Sequence, residues 1–129
     1  MKGGNMQVIH TDKAPAAIGP YSQAIEAGDF IFTSGMIPVI PETGAIAGDT
    51  IEEQAKQAFT NLKNLIEASG SSLGKVVKTT VFIKDMNDFA KINEVYASFF
   101  TENLPARSCV EVARLPKDVK LEVEAVALK

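Results

Sequence analysis

Apolar residues recur with a helical period between residues 50 and 70. Thr50 followed three positions later by Glu53 predicts a capping box at the start of this helix, and Ser69 and Gly70 predict its end. The apolar positions fall on one stripe, which consists of Ile51, Ala55, Ala58, Phe59, Leu62, Leu65 and Ile66. A stripe of this kind predicts a helix that packs on a sheet.

A second helical stripe lies between residues 85 and 100. Asp85 or Asn87 can cap this helix. Its predicted buried face consists of Phe89, Ile92, Tyr96, Phe99 and Phe100. Asn93 falls inside the same stripe, and a buried amide without partners costs about 1–3 kcal/mol. We therefore expect Asn93 either to tie a loop to the helix or to line a pocket.

Alternating and β-branched segments predict the strands. Residues 8–9 predict a short first strand, and residues 21–34 predict a hairpin that turns at Gly28 and Asp29. Residues 75–84 predict a further strand, with one side formed by Val77, Thr79, Val81 and Ile83.

Two more alternating stretches flank a Pro-Lys-Asp sequence at residues 116–118 and predict two strands joined by a short turn. Side chains two positions apart share a face, so Arg107 and Cys109 point the same way, and Glu122 and Glu124 share a face of the second strand. The predicted hairpin would bring a guanidinium and carboxylates together, where they could bind a carboxylate and move a proton. The alternative is a solvated sheet face with cross-strand ion pairs.

The predicted order β-β-β-α-β-α-β-β indicates an α+β domain with two helices on one face of the sheet. The other face would carry apolar side chains, namely Val76, Thr80, Phe82, Cys109, Val126 and Leu128. This face is too apolar to be left in water. We expect it to pack against other subunits, and the pattern does not fix their number.

The composition indicates a single domain of 129 residues, 1–129. A formal net charge of -3, without a cluster of lysines and arginines, argues against a nucleic-acid binder that neutralises phosphates. Cys109 is the only cysteine, which excludes an intramolecular disulfide and favours a reducing compartment. No apolar run approaches the roughly 20 residues of a membrane span, and residues 1–10 lack the apolar core of a signal peptide. We expect a soluble, cytoplasmic protein.

Few residues offer metal or nucleophile chemistry. His10 is the only histidine and lies near the terminus, so we expect no metal site. Cys109 has no evident base beside it, which favours a packing role for its thiol, although its backbone carbonyl could face a pocket. Residues 70–75 superficially resemble a phosphate-binding loop, but their glycine spacing and their helix-to-strand order differ from the Walker loop.

Arg107 and Glu122 are the remaining candidates. The planar guanidinium of arginine suits a carboxylate, and a glutamate is ionised at neutral pH and can activate a water. The alternative is that these two side chains pair with each other, or with Lys120 and Arg114. Spacing along the chain does not separate these interpretations.

With these residues in view, the chain resembles the RidA/YjgF/UK114 family of reactive-intermediate deaminases. The resemblance covers nearly the whole chain and rests on APAAIGPYSQ at 14–23, TSGMIP at 33–38, VKTTVF at 77–82, residues 89–96, and PARSCVEVARLPKD at 105–118. The last motif is highly specific to the family. The resemblance implies a chorismate-mutase-like α+β protomer, with two helices on one face of a mixed sheet, that assembles as a homotrimer with its sites in clefts between subunits.

The same resemblance implies an activity and residue roles. The family hydrolyses 2-iminopropanoate and 2-iminobutanoate, or their enamine tautomers, to 2-oxo acids and ammonia, and it uses no cofactor or metal. These reactive intermediates are released by pyridoxal-phosphate-dependent dehydratases, so the implied role is metabolite damage control. Arg107 would hold the substrate carboxylate, Glu122 would orient and help deprotonate the attacking water, and the Cys109 main-chain carbonyl would share that water. The family positions that line the pocket are matched by Tyr21, Ser34, Gly35 and Asn93.

One position departs from the family pattern. Met36 stands where many members have glutamine after Ser-Gly, and this could alter the pocket rim or the substrate range.

Two other functions stay open. Some family members carry the label of endoribonuclease or translation inhibitor, but an acidic chain supplies phosphate contacts poorly. A non-catalytic regulator, metabolite sensor or chaperone would use the same cleft. In each reading the expected partners are a small imino, enamino or 2-oxo acid and further copies of the chain, without a membrane.

Overall fold

The computed structural model describes residues 6–129. Half of the segment that argued against a signal peptide, residues 1–5, lies outside this range. The chain forms β1 (Met6–Ile9), β2 (Ala24–Ala27), β3 (Phe30–Thr33), α1 (Ile51–Ala68), β4 (Val76–Ile83), α2 (Phe89–Phe99), β5 (Ala106–Glu111) and β6 (Leu121–Leu128). The predicted order of strands and helices is confirmed.

A side-chain cap begins α1, whereas the cap predicted for α2 at Asp85 or Asn87 belongs to a 3-10 turn that precedes this helix. The Glu53 backbone N–H donates to Thr50 Oγ1 at 3.1 Å, and the Glu53 carboxylate accepts from the Thr50 N–H at 3.3 Å, so the predicted capping box of α1 is confirmed. Hydrogen bonds from the Thr50 hydroxyl and from the Thr50 backbone N–H lower the pKa of the Glu53 carboxyl. Asp85 accepts from the Asn87 N–H at 2.9 Å and caps a short 3-10 turn, after which α2 begins at Phe89.

The six strands form one sheet in the order β1-β2-β3-β6-β4-β5. The predicted hairpin over residues 21–34 is confirmed, since β2 and β3 pair antiparallel around Gly28, whose φ of 59° suits a tight turn. The predicted C-terminal hairpin is wrong: β5 pairs with β4 in parallel, and β6 pairs with β4 on its other side. Because α2 crosses back over the sheet, β5 is laid down parallel to β4, and the chain then passes β4 to fill the position next to β3.

The helices cover one face of the sheet, and the core lies between them. The largest fully buried side chains include Phe59 and Leu62 of α1 and Val81 and Val123 of the two central strands. Their burial confirms the predicted stripe of α1. Among residues 6–129, no helix combines the length and the apolar composition needed to cross a membrane.

A bulge in β4 changes which residues face the helices. The pairing of β4 with β6 shifts between Val76 and Lys78, so Val76 is buried in the core while Val77 is 37% exposed. The predicted placements of Val76 on the uncovered face and of Val77 on the helix side are therefore wrong. Cys109 was also misplaced, because it packs against the helix-side core.

The face without helices is apolar, as predicted. Thr80, Phe82 and Val126 lie on it half-buried, and Leu128 lies on it exposed. Phe30 and Phe32 of β3 extend it with large exposed rings. A surface of this composition favours contact with another protein surface.

Candidate functional site

Arg107 projects from β5 toward the helix-covered face, where α2 holds it. Its Nη1 donates to Asn93 Oδ1 at 2.7 Å, and its Cζ lies 4.8 Å from the ring centroid of Tyr96 and 5.4 Å from that of Phe89. Cation–π contacts of this kind contribute about 0.5–1 kcal/mol each at exposed sites. Within residues 6–129 Arg107 forms no ion pair, so its charge remains available to a carboxylate.

Asn93, the polar residue in the apolar stripe of α2, therefore holds the Arg107 guanidinium in place. Asn93 does not tie a loop to the helix; it orients Arg107 instead. Tyr96, one turn further along α2, shares a 2.8 Å hydrogen bond with Thr79 across the core. Burial raises the pKa of Tyr96 despite this bond and the charge of Arg107, so its hydroxyl stays neutral. The sequence placed Phe89 and Tyr96 in the core but gave no sign that they would hold a guanidinium.

Cys109 lies two residues beyond Arg107 on the same face. Burial raises the pKa of its thiol, and the charge of Arg107 offsets this only in part. The thiol is therefore protonated at neutral pH and poorly suited to act as a nucleophile. This agrees with the packing role expected of it, while the role of its main-chain carbonyl stays a prediction.

Glu122 projects from β6 to the opposite face of the sheet. It lies in a cleft of about 390 Å³, which we call the Glu122 cleft. One wall of the cleft comes from residues 15–21, the other from residues 35–44, and Pro116 and Lys117 lie at its rim. The walls place apolar side chains and one phenol around the carboxyl, principally Pro15, Ile18, Tyr21, Ile37 and Val39.

The half-buried position of Glu122 changes its acidity. Burial raises the pKa of the Glu122 carboxyl, and the neighbouring Glu124 raises it further. A carboxylate with a raised pKa is a stronger base than a solvated one, as a proton acceptor in hydrolysis requires.

Ser34, Gly35 and Met36 fix the position of the second wall of the cleft. Ser34 Oγ donates to the Ser22 carbonyl at 2.6 Å, so this hydroxyl is engaged within the chain. A Cβ at Gly35 would collide with the Glu122 carboxylate, so glycine leaves the space that this side chain occupies. Met36 exchanges two backbone hydrogen bonds with Val123, at 2.7 and 3.1 Å. Its side chain is 3% exposed and packs in the core, although the residue also borders the cleft.

The candidate residues therefore form two groups on opposite faces of one sheet. Arg107, Asn93 and Cys109 form one group, which we call the Arg107 half-site, and Tyr21, Gly35 and Glu122 line the Glu122 cleft. The expectation that a hairpin brings Arg107 and Glu122 together is wrong, because β4 lies between their strands and the side chains point apart. The alternative of an ion pair fails as well, since neither residue forms one within residues 6–129.

Two buried amides that the sequence interpretation missed hold the walls of the cleft. Asn61 Nδ2 donates to the carbonyls of Ile37 and Val39, at 3.0 and 2.8 Å. Gln23 holds the other wall in a similar way. Asn61 lies within the apolar stripe of α1, so the argument applied to Asn93 could have found it.

Metal ligands do not cluster in the part of the chain that the structure describes. No group of three or more His, Cys, Asp or Glu side chains there could hold a metal ion. His10 is exposed and lies 3.9 Å from the exposed carboxylate of Asp12.

Known proteins match this chain over nearly its full length. Residues 11–129 match the family model described as Endoribonuclease L-PSP. A "RutC family protein" of Pyrococcus abyssi is 58% identical, over 95% of this chain and 97% of that protein. A "2-iminobutanoate/2-iminopropanoate deaminase" of Salmonella typhimurium is 56% identical, over 95% of this chain and 98% of that protein. The crystal structure of Escherichia coli TdcF with bound serine superposes with a TM-score of 0.91 at 54% identity, over 95% of this chain and 98% of that one.

Proposed function

Since the chain belongs to the RidA/YjgF family, whose model is described as Endoribonuclease L-PSP, we propose that it hydrolyses 2-iminopropanoate and 2-iminobutanoate to 2-oxo acids and ammonia. One observation carries the proposal: the 56% identity, over nearly the full length of both chains, to proteins named as this deaminase. Other relatives bear only the RutC family name, so the substrate is part of the proposal.

The proposed site forms between subunits of a homotrimer. The two halves of the site lie on opposite faces of one sheet, so a single chain cannot bring them to one substrate. A second copy that docks on the uncovered apolar face can place its Arg107 half-site against the Glu122 cleft. The exposed rings of Phe30 and Phe32 on that face support such an assembly.

In the proposed mechanism each half-site has a separate task. Arg107 binds the substrate carboxylate, and Glu122 of the partner subunit accepts a proton from a water that the Cys109 carbonyl also holds. The water oxygen adds to the carbon of the C=N bond, and Glu122 returns the proton to the nitrogen. The resulting carbinolamine expels ammonia while its hydroxyl becomes the carbonyl of the 2-oxo acid, so that Glu122 is again ionised. An imine is already an activated electrophile. Positioning and one general base, worth about 10²–10⁴-fold, are therefore sufficient without a cofactor.

The proposal is tested by generating 2-iminobutanoate in the assay and measuring how fast it disappears in competition with semicarbazide. We expect wild type to protect the imine from trapping. Arg107→Ala should lower kcat/KM by about 10- to 150-fold, the equivalent of a charged hydrogen bond of about 1.5–3 kcal/mol. Arg107→Lys keeps the charge without the planar fork and should fall between the two. A wild-type protein that protects no better than buffer would overturn the assignment.

A second candidate follows from the description of the family model as an endoribonuclease. The net charge of -3 opposes phosphate binding. RNA cleavage that survives repurification and is lost in Arg107→Ala would favour this activity. Binding of small acids without any turnover would instead favour a non-catalytic metabolite sensor.

A further inference from the structure

Gln23 is a buried amide that binds a segment well before it in the chain. The side chain is 2% exposed and lies just before β2. Its Oε1 accepts from the Thr11 N–H at 2.8 Å, and its Nε2 donates to the carbonyls of Thr11 and Pro15, at 3.0 and 2.8 Å. The amide thus uses both its acceptor and its donors on residues 11–15, and we call this arrangement the Gln23 clamp.

The backbone beside the clamp is tied to the second wall of the Glu122 cleft. The Gln23 carbonyl accepts from the Ser34 N–H at 2.8 Å. Ser34 directly precedes Gly35, which lies against the Glu122 carboxylate. Gln23 therefore connects residues 11–15 to the part of the chain that packs on the catalytic carboxyl.

The segment that follows the clamp carries an apolar wall, while its start is also held by buried Ala14 and by Asn64 Nδ2, which donates to the Lys13 carbonyl at 3.0 Å. Pro15 and Ile18 line the cleft, and Ile18 is 82% exposed on a loop that contains neither helix nor strand. Ile37 and Val39 face them from the second wall. A volume of about 390 Å³ lies within the range of about 300–1,000 Å³ that suits drug-sized ligands, and exceeds what a four-carbon acid needs.

We propose that Gln23 is a positioning residue that holds the 15–18 segment beside Glu122 and thereby sets the preference of the site for 2-imino acids with longer apolar side chains. The inference rests on the proposed hydrolysis of imino acids. It adds that the side chain of the substrate lies against Ile18, and that this contact weakens when the clamp no longer holds the loop beside Glu122.

The test measures how KM changes with side-chain length. Imino acids are produced in the assay from alanine, 2-aminobutanoate, norvaline and norleucine by an amino-acid oxidase. In wild type we expect KM to fall by up to about fourfold for each added methylene, the equivalent of about 0.8 kcal/mol of apolar burial. In Gln23→Met, which keeps the volume but loses the amide, KM should become nearly independent of length. Gln23→Glu keeps the acceptor for Thr11 but turns a buried carboxylate toward the Thr11 and Pro15 carbonyls, so it should flatten the dependence at least as fully.

A matched control separates positioning from general loss of stability. Gln54 is also a buried glutamine, whose amide joins the Gly48 carbonyl and the Lys120 N–H outside the cleft. Gln54→Met should lower the melting temperature by a similar amount and keep the wild-type dependence of KM on side-chain length. Ile18→Ser removes the wall at an exposed position that folding does not need, and it should flatten the dependence even if both Gln23 variants fail to fold.

The outcomes distinguish this inference from the proposed function. If wild type hydrolyses no imino acid, the proposed function fails, and the same length series is then measured as dissociation constants of 2-oxo acids by calorimetry. If Ile18→Ser and a folded Gln23 variant both keep the wild-type dependence on length, the inference is overturned. The inference would also be overturned if Gln54→Met lost the dependence of KM on side-chain length as fully as Gln23→Met.

Discussion

Three glutamates follow the strand pattern near the C-terminal end, and their surroundings differ. The Glu111 carboxylate is exposed and accepts from the Met86 N–H at 2.8 Å, where it stabilises a turn. Glu124 is exposed, whereas Glu122 is half-buried beneath two loops. The alternation of polar and apolar residues along β5 and β6 does not distinguish the three glutamates. Burial of one of them depends on residues 15–21 and 35–44, which are remote in the chain.

The pKa of Glu122 leads to a prediction about pH. Protonated Glu122 cannot accept a proton from water, so the acid limb of kcat/KM follows its pKa, which burial and Glu124 raise. Glu124→Gln removes one of these causes, so the pKa of Glu122 falls and activity should persist to lower pH. Measurement of kcat/KM against pH checks this. Glu111→Gln, in which the amide oxygen can still accept from Met86, should leave the limb in place, and an unmoved limb in Glu124→Gln would contradict the assignment of Glu122 as the base.

At the scale of elements, the turn between β5 and β6 is encoded locally, whereas the pairing of these two strands is not. Lys117 and Asp118 both adopt the left-handed region, with φ of 56° and 55°. Buried Leu115 and Val119 anchor the two ends of this turn, and Lys84 Nζ lies 3.0 Å from Asp118 Oδ1. The Pro-Lys-Asp pattern correctly predicts a turn. It does not reveal that the turn leads past β4, because strand pairing depends on where the crossover through α2 has left β5.

Lys117→Gly should stabilise the protein. In the left-handed region a residue other than glycine is destabilised by about 1–2 kcal/mol. Glycine avoids this cost, but its greater freedom in the unfolded chain offsets about 0.5–1 kcal/mol of the gain. We expect the free energy of unfolding to rise by about 0.5–1 kcal/mol in urea denaturation. Lys63→Gly, at an exposed position within α1, should instead lower it by about 1 kcal/mol. Equal losses in the two variants would show that the Lys117 backbone carries no strain.

At the scale of the whole molecule, the sheet divides the candidate residues between its two faces. The Arg107 half-site is held by α2, whereas Glu122 projects from the opposite face into a cleft between two loops. A site that contains both groups therefore requires two chains.

This division predicts complementation between two inactive variants. Arg107→Ala and Glu122→Gln should each lack most activity when expressed alone. If the protein forms the proposed homotrimer and the variants are folded together in equal amounts, about three quarters of randomly assembled trimers contain both, and each such trimer has one intact site of three. We expect about a quarter of wild-type activity in the mixed sample, measured with the imine assay. Mixing the two separately folded trimers, without exchange of subunits, is the control and should restore none, and an inactive co-folded mixture would argue against sites between subunits.

The sequence by itself determined the elements and the uncovered apolar face. Capping residues, two-residue turns and apolar periods act over a few positions. For this reason α1, the β2–β3 hairpin and the order of the strands along the chain could be predicted from Thr50, Gly28 and other local patterns. The candidate residues were also visible, since Arg107, Asn93 and Glu122 interrupt apolar patterns.

Only the tertiary structure decided how these residues are grouped. The bulge at Val76, the parallel pairing of β5 and the passage of the chain past β4 determine which face each side chain occupies. These features depend on contacts between segments that are remote in the chain, and no local pattern encodes them. For this reason Arg107 and Glu122, which the sequence placed on one hairpin, lie on opposite faces of the sheet.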